Sequence, residues 1–474
     1  MEHLEQQTPW AKDCMDRQRV AKFLTRHLDQ SPHIKVLNIN SEWGSGKTFF
    51  VTEWQREAKE NRVCVYFDAW KHDYTGDPFV SLVATIKDQL TDQIGRSAKT
   101  KKTLAAFTKS AAKTLLAATP VIVKGLVKKA TAIDAEDLAI ATEGLEDLPS
   151  DAAEKAIEKL IDSKKEALKS VEDFKKVLLD LLAEAAKNKN SDPIPAYIFI
   201  DELDRCRPTF AIELLERIKH LFDIPLCKFI IASDTTQLAH SITAIYGNGF
   251  ESHKYLKRFF DAEFELDNTN MENWVKTVFA GNYRDSWTAI ALPLASSDND
   301  RHAFPSEKRV NPDQNTIAHN KTNKLNARQV VILAMLYTFD PQLRELEKLV
   351  SQIQAFEENC AKDSFQFFWA AYLLFLKDAD RNLYRAFLKG DEAAKSVEGK
   401  FPSMNLHFGD SNSSIHTIAG WYLRCHRSTR QEVRNFLSRE QGASFISEIL
   451  NNFYNHYAQI KLYPALVDLA HRLD

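Results

Sequence analysis

The sequence predicts an α/β fold with a parallel sheet, joined to an all-helical C-terminal region. Short apolar segments alternate with segments of helical periodicity between residues 13 and 266. Alternation of this kind is typical of a parallel sheet with helices on both faces. From residue 327 onward, the periodicity is helical throughout. Glycine accounts for 14 of 474 residues, about 3% against a usual value of about 7%, which favours long helices over turn-rich β structure.

The elements of the α/β part follow one another in a regular order. An amphipathic helix at 13–30 precedes a buried strand, and a turn signal at 191–195 precedes the most apolar strand of the chain. The predicted strands are 34–40, 63–67, 197–202, 227–234 and 263–266, and the predicted helices between or before them are 13–30, 78–94, 209–222 and 235–246.

Composition and charge narrow the functional class. The chain is 44% hydrophobic and 27% charged, which is the balance of a globular protein rather than of a disordered or fibrous one. A net charge of −3 argues against a surface built as a whole to coat nucleic acid. The six cysteines are far apart and form no C-x-x-C pair, which disfavours a zinc site and predicts a reducing, cytoplasmic environment.

No segment has the pattern of a signal peptide or of a membrane helix. The first ten residues lack a basic stretch followed by an apolar one. A membrane helix needs about 18–20 apolar residues. The longest candidate, at 364–376, has 13 and is more typical of a buried core helix. We therefore expect no transmembrane segment.

The α/β part is interrupted by a segment of segregated charge. Residues 96–130 contain nine Lys or Arg and no acid, whereas residues 131–173 contain thirteen Asp or Glu and five Lys. Both halves have helical spacing. One interpretation is that the two arms pack antiparallel and neutralise each other. The other is that the basic arm is an amphipathic helix that binds nucleic acid or a membrane surface peripherally.

These features predict four regions. The α/β core comprises residues 10–95 and 190–270, and a helical insertion comprises residues 96–189. A helical lid follows, and a helical C-terminal domain ends the chain. The lid is expected at 271–350, with a long polar surface loop at 296–326, and the C-terminal domain at 351–474.

A phosphate-binding loop follows the first predicted strand. The segment 41–48 matches G-x-x-x-x-G-K-[ST], except that Ser41 replaces the first glycine. Glycines let backbone N–H groups turn toward phosphates, and the next helix points its positive end at them. The lysine neutralises the β- and γ-phosphates, and the hydroxyl after it coordinates Mg²⁺. The expected nucleotide-binding residues of this loop are Trp43, Gly44, Ser45, Gly46, Lys47 and Thr48.

The strand at 197–202 supplies the second half of the predicted site. Asp201 leaves this strand at its C-terminal edge, where α/β sheets bind ligands, and it can share Mg²⁺ with Thr48. Glu202 is placed to polarise the attacking water. Asp204 and Arg205 follow within a turn. They form either a local ion pair or a group with a role in catalysis or subunit contact.

A polar pair ends the strand at 227–234. In this class of fold, a polar residue at that strand tip commonly contacts the γ-phosphate, which makes Ser233 a candidate. The alternative is that Ser233 and Asp234 cap the next helix, because both residue types are good N-caps.

These segments together resemble the KAP family of P-loop NTPases. The family is typified by a neuronal ankyrin-repeat membrane scaffold and a plasmid-encoded phage-exclusion protein. The resemblance covers roughly residues 13–350. It rests on D-R-x-x-x-A-x-x-L (from Asp16 and Arg17 to Ala21 and Leu24), WGSGKT (43–48), FDAW (67–70), IDELDRC (200–206) and YLKRFF (255–260).

The resemblance implies a P-loop NTPase core that uses ATP and Mg²⁺. The pair Asp201-Glu202 looks like that of a competent ATPase of the additional-strand catalytic-glutamate type. By analogy, Arg258 is an arginine finger that acts on a neighbouring subunit, and Arg344 is a sensor arginine on the lid; for each, the alternative is a solvated helix arginine. Trp70 in FDAW is interpreted as a packing residue.

The resemblance also implies partners. Many family members carry transmembrane helices in the insertion. Here the most apolar stretch, 114–127, is too short and contains Pro120, Lys124 and Gly125, so this chain looks like a soluble branch. The family suggests a homo-oligomer that acts in bacterial phage exclusion or antiviral defence beside a separate effector protein. Alternatives are a nucleotide-gated scaffold with little hydrolysis and an ATPase stimulated by nucleic acid.

Overall fold

The computed structural model places the chain in two compact units, Met1–Asp267 and Asn268–Asp474. The residues that it describes are 8–74, 76–94, 101–115, 150–187, 194–221, 224–267, 270–280, 289–291, 325–360, 365–402, 404–408, 411–440 and 445–472.

The first unit is built on a five-stranded, fully parallel sheet with the order β2-β3-β4-β1-β5. The predicted parallel α/β sheet is thus confirmed. Strand β4 lies between the strand before the phosphate loop and the strand that ends in Asp201. This inserted strand is the feature that gives the additional-strand type its name. The strands are β1 (Val36–Asn40), β2 (Cys64–Asp68), β3 (Ala196–Asp201), β4 (Cys227–Ser233) and β5 (Ala262–Glu265).

Helices cover both faces of this sheet. The apolar side chains of one face pack with α1 and α2, and those of the other face pack with α4, α7 and α8. A parallel sheet buried on both faces needs apolar residues at nearly every strand position, as β3 and β4 have. The helices are α1 (Arg17–Gln30), α2 (Lys47–Ala58), α3 (Ala69–His72), α4 (Pro78–Ile94), α5 (101–115), α6 (Ser150–Ala186), α7 (Pro208–Leu221), α8 (Thr235–Tyr246) and α9 (Ser252–Leu256).

The described ends of the insertion belong to the core of this unit. Phe107 of α5 and Phe174 of α6 are fully buried, and the ring of Phe174 lies 5.6 Å from Phe107 and 5.3 Å from Phe79 of α4. Thr114 donates to the carbonyl of Ser170 at 2.9 Å, so the helices run antiparallel, as one interpretation of the sequence expected. These helices do not project from the core as a separate hairpin. Residues 116–149 lie outside the described part.

The second unit is mainly helical, as predicted, but it also contains a small antiparallel sheet with the order β6-β7-β8. The sequence did not predict this sheet, because its strands are only three or four residues long and two of them are polar. The strands are β6 (Ala289–Ala291), β7 (Asn405–Phe408) and β8 (Ser411–Ser414).

The helices of the second unit pack around an aromatic core. Helix α12 passes through residue 350, where a boundary between lid and C-terminal domain was predicted, and its Phe356 ring lies 4.8 Å from Tyr463 near the C-terminus. The predicted loop at 296–326 lies almost entirely outside the described residues. The helices are α10 (Met271–Val278), α11 (Ala327–Phe339), α12 (Leu343–Glu358), α13 (Phe367–Ala379), α14 (Arg381–Lys389), α15 (Asp391–Lys400), α16 (Ile415–Arg427), α17 (Arg430–Leu437), α18 (Phe445–Asn455), α19 (Tyr457–Lys461) and α20 (Tyr463–Ala470).

Helix α13 contains most of the apolar stretch that was considered as a membrane span. Every residue from Phe367 to Lys377 is buried, which agrees with the interpretation as a core helix. Within the described ranges, no helix combines the length and the apolar character that crossing a bilayer requires.

Candidate functional site

The phosphate loop occupies residues 41–46, between β1 and α2. Gly44 and Gly46 have φ angles of 81° and 85°, in the left-handed region that favours glycine. The loop is fixed at its start by Ser41, whose N–H donates to the carbonyl of Ser233 and whose hydroxyl donates to the carbonyl of Leu266 at 2.7 Å. Helix α2 begins immediately after the loop, so its positive N-terminal end faces the loop concavity.

Lys47 is the first residue of α2 and is 9% exposed. Its Nζ donates to the carbonyls of Ser41 and Glu42, at 2.5 and 3.0 Å. Burial lowers the pKa of Lys47, and four nearby carboxylates oppose that shift. The ammonium group is therefore held inside the loop by neutral carbonyl acceptors, which a phosphate oxygen can replace.

Asp201 ends β3 and is 1% exposed. Its Oδ2 accepts from the Tyr66 hydroxyl at 2.9 Å, and its Oδ1 accepts from the N–H of Glu202 at 2.9 Å. Burial raises the pKa of Asp201, and these hydrogen bonds offset only part of the rise.

Glu202 lies beside Asp201 in a left-handed backbone conformation with φ 60°. Its Oε1 accepts from the Thr48 hydroxyl at 3.2 Å, and its Oε2 lies 2.5 Å from Nε of Arg205. Burial and then Asp201 raise the pKa of Glu202, and Arg205 opposes the rise. Positive φ is uncommon for a residue with a Cβ, so the backbone is held in this shape by its surroundings.

Two exposed tryptophans flank the turn that follows β3. Trp43 of the phosphate loop is 48% exposed, and its indole N–H donates to Oδ2 of Asp204. Trp70 is 55% exposed, and its ring lies 5.7 Å from the guanidinium of Arg205. The structure thus gives Asp204 and Arg205 different partners instead of pairing them with each other. Trp70 stacks on a cation at the surface and is not a core packing residue.

Ser233 and Asp234 have separate contacts at the tip of β4. Asp234 caps α8 by accepting from the N–H groups of Thr236 and Gln237, as one alternative expected. The Ser233 hydroxyl is fully buried and donates to Oδ1 of Asn38 at 2.8 Å. A contact between Ser233 and a γ-phosphate stays a prediction.

Of the two arginines proposed by analogy, Arg258 belongs to the first unit and Arg344 to the second. Arg258 is exposed in the turn after α9, three residues before Asp261, which accepts from the N–H groups of Lys35 and Val36 at the start of β1. Asp261 therefore lies at the end of the sheet opposite to the phosphate loop, and Arg258 precedes it by three residues. Arg344 is an exposed residue near the start of α12 in the second unit. Both assignments stay predictions.

The structure adds residues that sequence reasoning missed. Tyr66 reaches Asp201 from the neighbouring strand, where Asp68 pairs with Asp201. Asp73, just after FDAW, accepts from the N–H and Nε of Arg207 at 3.1 and 3.0 Å and so joins the end of β2 to the turn after β3. One feature of the sequence could have indicated the contact of Tyr66 with Asp201. Tyr66 is two residues before Asp68 on the same strand, so both side chains lie on the same face of the sheet.

The sheet order, the left-handed glycines and the acidic pair at the tip of β3 define a P-loop nucleoside triphosphatase domain. The family model described as the KAP family P-loop domain matches residues 17–359, well over half of the sequence. The chain belongs to the KAP family, as the sequence motifs predicted. A search of curated proteins found no match.

Proposed function

We propose that this protein binds ATP together with Mg²⁺ and hydrolyses the bond between its β- and γ-phosphates. The observation that carries this proposal is the position of Thr48, whose hydroxyl donates to Glu202, the residue that follows Asp201 at the end of β3. The phosphate loop and the acidic strand end, distant in sequence, therefore form one site. A hydrolytic P-loop enzyme needs these two parts in contact.

Phosphate binding is assigned to the loop and Lys47. The loop backbone supplies N–H groups and the start of α2 supplies a positive dipole end, which together favour an anion. The Lys47 ammonium adds a full charge, and its present hydrogen bonds are to the neutral carbonyls of Ser41 and Glu42. Replacing neutral acceptors by charged phosphate oxygens strengthens each of its hydrogen bonds.

The donor set fits Mg²⁺. Thr48 and Asp201 offer a hydroxyl and a buried carboxylate, the hard oxygen ligands that Mg²⁺ prefers. Among the described residues, no group of three or more His, Cys, Asp or Glu gathers into a site of its own. This agrees with an ion held by one carboxylate together with substrate phosphates. When bound, Mg²⁺ would neutralise charge that develops on the phosphates.

Glu202 is the residue that we assign to the attacking water. If Thr48 held Mg²⁺ instead of donating to Glu202, Oε1 of Glu202 would be available to accept from water. Arg205 continues to hold Oε2 and keeps the carboxylate oriented. Glu202 thus orients water and takes up its proton, which is the role of the general base in this type of site.

A nucleotide-gated scaffold with little hydrolysis is the second candidate. The observation that favours it is the ion pair between Glu202 and Arg205, because a carboxylate held by a guanidinium is a weaker base. In that case the protein would switch conformation on binding ATP and release phosphate only rarely.

A third candidate is an ATPase stimulated by nucleic acid. The lysines of α5 that are exposed give this helix a positive surface. They are Lys101, Lys102, Lys109 and Lys113. The rest of the basic segment lies outside the described residues, so addition of DNA or RNA to the assay is the test.

Steady-state release of phosphate from ATP tests the proposal and separates these candidates. The wild-type protein is expected to release phosphate with Mg²⁺ present and to stop when EDTA is added. ATP binding without phosphate release would contradict hydrolysis and support the scaffold. Release that rises severalfold with DNA or RNA would support the third candidate. GTP is assayed in parallel, because the preferred base is not evident from the described residues.

For the biological role, we propose a homo-oligomer that acts in bacterial phage exclusion or antiviral defence with a separate effector protein. The support is the resemblance to a family that includes a phage-exclusion protein. Expression of the wild-type gene in a bacterial host should reduce phage plaques, and a Lys47→Ala gene should not. Equal plaque counts with wild type and with an empty vector would argue against this role.

A further inference from the structure

Arg17 reaches the phosphate loop from a helix that precedes it in the chain. It is the first residue of α1 and is 4% exposed. Its Nη2 donates to the carbonyl of Ser45 at 2.6 Å, and its Nη1 donates to the carbonyl of Gly46 at 3.0 Å. One guanidinium therefore holds two successive carbonyls of the loop.

Holding these carbonyls also sets the direction of two N–H groups. In a trans peptide the C=O and the following N–H point in opposite directions. Arg17 donates to the carbonyls of Ser45 and Gly46. The N–H groups that follow these carbonyls, those of Gly46 and Lys47, are therefore directed to the other side of the loop. Backbone N–H groups of this part of a phosphate loop are the ones that cradle phosphates.

Helix α1 is anchored well enough to transmit this constraint. Ala21 and Leu24 are buried in the core cluster that also contains Phe50 and Trp54 of α2. The indole N–H of Trp54 donates to the Thr25 hydroxyl at 2.8 Å. The helix that carries Arg17 is thus packed directly on the helix that follows the loop.

Burying a guanidinium is costly, which argues that Arg17 is not a simple packing residue. Burial lowers the pKa of Arg17, and the acids Asp13 and Asp267 oppose the shift. Replacing both partners of a buried ion pair by apolar groups of similar volume is often neutral or stabilising, so a buried charge is weak evidence of a purely stabilising role. The arginine donates two charge-assisted hydrogen bonds to the loop, which an apolar residue could not do.

We propose that Arg17 is a positioning residue that holds the phosphate loop in its binding conformation before nucleotide arrives. This inference rests on the proposed nucleotide-binding function. Since the N–H groups that it orients serve phosphates common to ATP and ADP, Arg17 contributes to the affinity for both. It contacts the outer side of the loop and does not touch the reacting phosphate.

The test is the affinity of Arg17→Met and Arg17→Lys for Mg-ATP and Mg-ADP, measured by calorimetry. Arg17→Met should weaken both affinities at least about tenfold, the scale of losing hydrogen bonds from a charged donor. Arg17→Lys keeps the charge but not the planar fork, so its loss should be smaller, about threefold or more. In phosphate-release assays, the KM of Arg17→Met for ATP should rise by a larger factor than its kcat falls, because the interaction that is lost serves nucleotide binding.

Arg62→Met is the matched control. Arg62 is also buried, at 7% exposed, and pairs bidentately with Asp29 at 2.8 and 2.9 Å, near the start of β2 and away from the loop. This variant should lose stability and keep both affinities within twofold of wild type.

The possible results are distinct. Folded Arg17→Met with wild-type affinities would overturn the inference and leave the proposed function standing. If Arg17→Met does not fold, wild-type affinities in the Arg17→Lys variant would likewise overturn the inference. An Arg62→Met variant that weakens nucleotide binding as much as Arg17→Met would also overturn it, because the effect would then be general destabilisation. Wild-type protein that binds neither nucleotide would overturn the proposed function and this inference together.

Discussion

The hydroxyl of Thr48 donates a 3.2 Å hydrogen bond to Glu202, although 154 positions separate the two residues. Thr48 follows the phosphate loop on β1, and Glu202 follows Asp201 on β3, with β4 between these strands. The contact spans an inserted strand and joins the two halves of the site before any ligand arrives.

Lys47→Ala should abolish nucleotide binding and leave the fold intact. The Lys47 ammonium contacts only loop carbonyls among the hydrogen bonds found in the described residues, so the core does not depend on it. We expect at least about a hundredfold loss of ATP affinity, the scale of losing a charged phosphate contact. Calorimetry measures the affinity, and circular dichroism checks the fold. Lys22→Ala, an exposed lysine on α1, serves as the control. Unchanged ATP affinity in Lys47→Ala would show that this loop is not the site.

Arg258→Ala tests whether the protein works as an oligomer. Arg258 lies just before β5, at the end of the sheet opposite to its own phosphate loop. A catalytic role for it would therefore have to act on a neighbouring subunit. The variant should bind ATP within a few-fold of wild type but hydrolyse it about 10³-fold more slowly, the lower end of the scale for arginine fingers.

Mixing provides the decisive comparison for Arg258. Lys47→Ala protein has no working site but carries an intact Arg258, so adding it to Arg258→Ala protein should restore part of the phosphate release. Lys257→Ala, the exposed neighbour, is the control and should keep wild-type activity. Full activity of Arg258→Ala alone would leave this arginine as a surface residue and remove the main argument for an oligomer.

Phe107→Ala should destabilise the first unit. Phe107 is fully buried between α4 and α6, and large-to-small changes at such positions cost about 3–5 kcal/mol. Lys109→Ala on the exposed side of the same helix should change the free energy of unfolding by less than about 0.5 kcal/mol. Urea denaturation measures both. Equal stabilities of the two variants would mean that α5 is separable from the core. The charge pattern alone predicts a helical hairpin whose deletion, at residues 96–173, leaves the core soluble and able to bind ATP. The burial of Phe107 overturns that prediction, and the deletion should leave the core insoluble.

Acid should weaken the second unit through His416. This residue is 3% exposed, and its Nδ1 lies 3.0 Å from the Tyr372 hydroxyl. Burial lowers the pKa of His416 to about 4. In the unfolded chain this histidine has a pKa of about 6.5, so as the pH falls it takes up a proton before the buried histidine of the folded chain does. The free energy of unfolding therefore falls between pH 6.5 and 4, by at most about 3 kcal/mol.

Urea denaturation at pH 7 and pH 5 measures this dependence. His416→Gln should lose part of it, whereas His253→Gln, at an exposed position, should keep all of it. A pH dependence that is identical in wild type and His416→Gln would contradict the role of this buried histidine.

Local patterns in the sequence predicted most of the first unit. The strands of the sheet have continuous apolar runs or lie next to the phosphate loop, and glycines at 44 and 46 predict the loop geometry. Asp201 and Glu202 were predictable because they end the most apolar strand of the chain. Each of these features is encoded within about ten consecutive residues.

What sequence reasoning missed depends on contacts between distant segments. Arg17 binds backbone carbonyls, which leave no residue-specific signal at positions 45 and 46. Phe107 packs on Phe174 of α6, which also contacts Phe79 of α4, and nothing in the charge pattern around Phe107 indicates this burial. Strand β8 is entirely polar, and β7 alternates over only four residues, too few to identify a strand. The pairing of β7 with β6 joins segments more than a hundred residues apart.

Glu202→Gln tests the central claim most directly. The change keeps the size of the side chain but removes the carboxylate that positions water, while Lys47, Thr48 and Asp201 stay in place. We therefore expect Mg-ATP affinity within about threefold of wild type and phosphate release at least about 10²-fold slower. Glu213→Gln, on helix α7, is the matched control. Phosphate release by Glu202→Gln at the wild-type rate, with ATP still bound, would contradict hydrolysis at this site.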